Sequence, residues 1–166
     1  KNIPGDRSIL DKKWTLNLAS SEGKKLAVLK AKEFAADFYA RGNINQAVET
    51  LINCIKFTPE DKEIYYELTR MFIESKRFAE AWEVFGTMPE TGKNDLKGLE
   101  YAGYAKEGLG LDDEAAVYAD KILSQNKNYP AALNLKGVLA YKKGEKETAA
   151  DYFRKTMDAD PGYGET

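Results

Sequence analysis

Small and large apolar positions recur along this chain at one fixed spacing. Ala47, Ala81, Ala115 and Ala149 stand 34 residues apart, and four residues beyond each come Leu51, Phe85, Ala119 and Phe153. On a helix that offset places the second set on the face of the first. Twelve residues before each alanine sit Ala35, Thr69, Gly103 and Gly137, again small, and five before stand Gly42, Lys76, Gly110 and Gly144. Glycine at such a place ends a helix in the left-handed conformation and lets the chain turn back. Lys76 lacks that freedom, so its turn is expected to be looser.

The period predicts eight helices, at about 27–41, 44–57, 61–75, 78–88, 95–108, 112–126, 130–143 and 146–159, paired as hairpins. Asp61 and Asp95 are placed to accept hydrogen bonds from free amides where two of these helices begin. Pro89 cuts the fourth helix short, and the turn formers Glu90, Thr91, Gly92, Lys93 and Asn94 predict a mobile loop behind it. Cys54, on the alanine face seven residues past Ala47, is expected to fill a small core site. Residues 1–26 do not fit the repeat. Leu10, Trp14 and Leu18 suit a helix, whereas Trp14, Leu16 and Leu18 suit a strand, and the ring of Trp14 is expected to dock on the first repeat.

Ala35, Phe38, Gly42, Ala47, Leu51 and Pro59, echoed by Leu133, Gly137, Gly144, Ala149, Phe153 and Pro161, resemble the tetratricopeptide repeat family. The resemblance covers residues 27–161 and implies an all-α fold, a right-handed α-solenoid of antiparallel helix pairs, with units at about 28–61, 62–95, 96–129 and 130–161. Residues 1–26 then form an extension or connector, and 162–166 a truncated end. The sequence departs from the pattern where Lys106 and Ala140 replace the aromatic seen as Phe38 and Phe72, and where Lys93 and Lys127 replace the closing proline.

In such a solenoid the first helices of the units line a concave surface. Projecting the period onto that stripe gives Lys32, Ala36 and Tyr39, then Tyr66, Arg70 and Ile73, then Lys97, Tyr101 and Tyr104, and finally Asn134, Val138 and Tyr141. The expected partner is a protein or peptide segment held in a tyrosine-lined groove by Lys32, Tyr39, Tyr66, Arg70, Tyr101, Tyr104, Asn134 and Tyr141. Tyrosine suits that task because it brings a large contact area with few rotors and one hydroxyl. Lys32 and Arg70 are expected to meet acidic groups. The clamp by which chaperone-binding members of the family grip a terminal carboxylate is missing. Ala36 and Glu67 stand in its asparagine places, and Tyr101 stands where an arginine is wanted.

Composition narrows the alternatives. Histidine is absent from the 166 residues, which removes histidine-dependent triads and most catalytic zinc sites. No nucleophile, base and oxyanion set is found, and no catalytic residue, metal or cofactor is expected. Gly108 and Gly110 lack the preceding strand and the third glycine of a dinucleotide loop. Asp112, Asp113 and Glu114 read as charge at a helix start. A formal net charge of −2 argues against binding nucleic acid, and no apolar run has the length to cross a membrane.

The run Phe78, Ala81, Trp82, Val84, Phe85, Met88 and Pro89 resembles a pentatricopeptide repeat, a family that reads single-stranded RNA, but only one unit carries it. A second reading is a regulatory or targeting module cut from a larger enzyme such as a glycosyltransferase. The start at Lys1 and the stop at Thr166 suggest an excised piece. Ala150, Phe153 and Met157, on the side a further helix would cover, leave the last repeat open to self-association. The compartment is left open.

Overall fold

A computed structural model of the chain describes residues 20–164, and among these the regular structure is helical without a strand. The helices are α1 Ser21–Ala40, α2 Ile44–Ile55, α3 Lys62–Glu74, α4 Phe78–Thr87, α5 Glu90–Lys93, α6 Leu96–Gly108, α7 Asp112–Gln125, α8 Pro130–Lys142 and α9 Lys146–Ala159. None of them is long and apolar enough to cross a membrane. The expectations placed on Leu10, Trp14, Leu16 and Leu18 lie outside the described residues.

Two predicted stretches of the chain take a different secondary structure. The first helix begins at Ser21 rather than near 27, because the Ser20 hydroxyl accepts from the Gly23 amide at 2.9 Å and Glu22 sits in the first turn. The predicted mobile loop after Pro89 contains a short helical turn, α5. It packs so closely on α6 that a Cβ on Gly98 would fall 1.9 Å from the Gly92 carbonyl oxygen. The caps behave as expected. Asp95 accepts from the Gly98 amide at 2.9 Å and Asp61 from the Glu63 amide at 3.1 Å.

The hairpin corners are more uniform than their sequences. After α1, the Gly42 amide donates to the Tyr39 carbonyl at 2.9 Å and Asn43 to Phe38 at 2.8 Å. After α3, Lys76 donates to Ile73 at 2.9 Å and Arg77 to Phe72 at 2.7 Å. The corners at Gly110 and Gly144 carry the same pair of bonds. Lys76 therefore makes the same tight turn as the glycines, at φ 58° against 75–80°, and the looser turn is not found. A non-glycine residue there costs about 1–2 kcal/mol. The Arg77 guanidinium lies 4.6 Å from the centroid of the Phe72 ring and covers this corner.

The chain divides into two compact units, Lys1–Leu68 and Thr69–Thr166, the boundary falling within α3. In the first, α1 packs on α2, burying Ala35, Ala47 and Leu51 completely. A Leu51 side chain out of water is worth about 2 kcal/mol. Cys54 is buried as expected, and burial pushes its thiol pKa up. The Tyr65 hydroxyl donates to the Pro59 carbonyl at 2.9 Å, tying down the connection into α3.

In the second unit the core lies among α6, α7 and α8, built on Leu99, Ala115, Ala119, Ile122, Leu135 and Leu139. The predicted pairing of small with large residues appears as direct contact. A Cβ on Gly103 would come within 2.8 Å of Leu135 Cδ2, and one on Gly137 within 2.6 Å of the Phe153 ring. Phe153 thus fills its own hairpin, in place of the outward position expected of it, while Met157 remains 58% exposed.

Candidate functional site

The predicted groove residues separate by unit. In the first, Lys32 on α1 has its ammonium 3.8 Å from Glu63 and 4.0 Å from Glu67, both on α3. The cation expected to meet a partner's acid faces carboxylates of its own chain. Tyr39 is partly exposed at the end of α1. Tyr66 is 6% exposed, with the Lys62 ammonium 5.8 Å from its ring centroid. Little of that ring is left to touch anything else.

In the second unit, Arg70 binds Glu74 through two hydrogen bonds of 2.7 and 2.9 Å, one turn along the same helix. Tyr101 is 7% exposed. It also lies off the projected stripe, since 34 residues on from Tyr66 and Arg70 stand Glu100 and Tyr104. Lys97 lies 4.9 Å from the Tyr101 ring centroid and 3.4 Å from Glu100.

The remaining three residues occupy neighbouring helices, since α6 and α8 touch. The Tyr104 hydroxyl donates to the Ala131 carbonyl at 3.2 Å and shares a 2.7 Å hydrogen bond with the Tyr163 hydroxyl. The Asn134 side chain also bonds it. Burial, reinforced by Tyr163, drives the Tyr104 pKa far above its ordinary value of 10.0. Tyr141, two turns beyond Asn134 on α8, stands 63% exposed.

The residues around these were not singled out from the sequence. Tyr129 donates to Glu100 at 2.7 Å, and Tyr163 lies 34 residues beyond Tyr129. The period carries the signal for both. Lys142 lies 3.0 Å from Asp112 and is also paired with Glu107, which raises its pKa through the Glu107 hydrogen bond first and the Asp112 contact next. Charges on this α6–α8 face are therefore largely matched within the chain. What faces outward is aromatic and apolar, from Tyr141 and the half-buried Val138.

The family model described as tetratricopeptide repeat matches residues 102–164. No curated protein matches the sequence. Solved structures of the same fold are found. MamA, residue 41 to its end, from Desulfovibrio magneticus RS-1 is 16% identical, with 96% of this chain and 98% of that one covered at a TM-score of 0.66. A thermophilic TPR protein of Thermus thermophilus is 18% identical over 80% of this chain and 74% of its own, at 0.67. A tetratricopeptide repeat protein from Parabacteroides merdae is 18% identical over 84% and 56%, at 0.65. The stacked helix pairs are thus those of an α-solenoid of this type.

Proposed function

We propose that this chain, which carries the tetratricopeptide repeat over residues 102–164 and the fold of solved TPR proteins along nearly its whole length, holds a segment of another protein against the α6–α8 face. The coarser reading, an interaction scaffold, is the one the family supports. The observation that carries the finer one is Tyr141, a large ring 63% exposed on a first helix, beside charges that the fold already neutralises. An aromatic kept in water gains by being covered, and such rings concentrate at the centres of interfaces.

The partner segment is expected to be apolar or aromatic where it meets this face, since Lys142 and Lys97 are engaged with Glu107, Asp112 and Glu100. Replacing Tyr141 by a photo-crosslinking phenylalanine analogue in cells tests this reading. Discrete adducts at 141, absent when the same analogue stands at the exposed Val117 of α7, are expected. The same smear from both positions would overturn it.

A further inference from the structure

Away from the α6–α8 face, three helices of the second unit converge on one side chain. Trp82 and Phe85 of α4 stack at 5.2 Å, and Tyr118 of α7 lies edge-on to both, at 6.2 and 6.1 Å. Lys106 enters this cluster from α6 with its stem buried and its ammonium 3.7 Å from the centre of the Trp82 ring. The exposed Glu114 carboxylate of α7 accepts the same ammonium at 2.9 Å. Tyr118 feels the charge as well, since burial raises its pKa and Lys106 draws it back.

An indole face and a carboxylate together recognise an ammonium ion. The ring attracts a cation through its quadrupole, and the carboxylate supplies a charged acceptor for an N–H. A neutral group of the same size gains neither. The walls are also held by contacts that the lysine does not share. One turn before Trp82, Phe78 lies against the bare α-carbon of Gly108, where a Cβ would run into its ring. Ala81 and Phe85 on α4 and Ala115 on α7 are buried. A core position so braced relaxes only in part when a side chain is shortened, so the space that the lysine fills stays open.

We propose that Trp82 and Glu114 form a preorganised ammonium site whose ligand in the intact chain is Lys106, and which takes a small primary alkylammonium ion once that side chain is cut back. In the wild-type chain the site is full. Charge, in addition to bulk, then determines what stands at this position, where the first units carry Phe38 and Phe72.

The test uses the full chain carrying Lys106→Ala with n-propylammonium chloride, which supplies the carbons and the nitrogen that the truncation removes. The melting temperature, followed by the helical circular dichroism signal, should rise by about 2–4 °C at on the order of 100 mM of the ion, saturably and beyond matched sodium chloride or n-propanol. Wild type and Lys106→Met, whose own stems occupy the space, should not respond. Glu114→Gln added to Lys106→Ala should weaken the apparent affinity for the ion by about twofold to fivefold. Should Lys106→Ala be unfolded alone, the same ion should restore a cooperative transition. An equal rise from n-propanol, an equal rise in wild type, an affinity indifferent to Glu114, or neither rise nor restoration in Lys106→Ala would overturn the proposal.

Discussion

The ammonium of Lys106 lies 3.7 Å from the centroid of the Trp82 ring, and Glu114 holds the same nitrogen at 2.9 Å. Trp82 stacks on Phe85 at 5.2 Å and meets the edge of Tyr118 at 6.2 Å, so a lysine caps an aromatic cluster at the place where the first units carry phenylalanine. Its stem is buried and its charge is partnered. Lys106→Ala should cost about 1–3 kcal/mol through lost packing and a lost cation–π contact. Lys106→Met, which keeps the stem, should cost about 1 kcal/mol or less. Urea melts separate the two; equal losses would show that the stem contributes nothing.

Lys76→Gly should stabilise the chain by about 1 kcal/mol, because the left-handed corner is already formed and only its steric cost is removed. The melting temperature should rise by about 2–4 °C. A fall would mean that the cover of Phe72 by Arg77 depends on the lysine.

Gly137→Ala should destabilise by about 1–3 kcal/mol, since the added methyl meets an aromatic ring rather than a pliable chain end. Combining it with Phe153→Leu should recover part of the loss. Strict additivity of the two losses would show that the ring is not the obstacle.

Alkaline pH should loosen the fold. Tyr104 and Tyr129 hold their protons more tightly when folded, by burial first, and Lys142 does so through its hydrogen bond to Glu107. Raised folded pKa values contribute stability that is fully present below the unfolded values, 10.0 for tyrosine and 10.5 for lysine. That stability is lost as pH rises past them toward the folded values. Thermal melts should be level between about pH 7 and 8, fall slightly around 9 where the unfolded Cys54 thiol ionises, and fall more steeply above about 10. Tyr104→Phe should start lower and fall less steeply. A level profile up to about pH 11 would contradict the burial of both hydroxyls.

The architecture was legible because packing repeats: Ala47, Ala81, Ala115 and Ala149 fix the pairing of helices wherever they occur, and all four are buried. The face was legible only in part. The projected triad Lys97, Tyr101 and Tyr104 stands three residues short of the 34-residue places Glu100, Tyr104 and Glu107, so the stripe lost its register in the third unit, and Tyr66, in register, is buried as well. Lys32 was assigned to a partner because sequence spacing does not reveal that Glu63 and Glu67 of α3 lie beside it, whereas the Glu74 that engages Arg70 stands four residues on along the same helix and was legible. Tyr163 escaped notice for a different reason: its partner Tyr104 lies 59 residues away, a separation that the 34-residue period does not carry.

The bare α-carbon of Gly103 leaves room that Leu135 enters, so α8 rests on α6 directly as well as through α7. Leu135 precedes Tyr141 by less than two turns of the same rigid rod. The outward reach of that aromatic is therefore calibrated by a missing methyl on another helix, and a single carbon added at Gly103 would re-aim it without touching it.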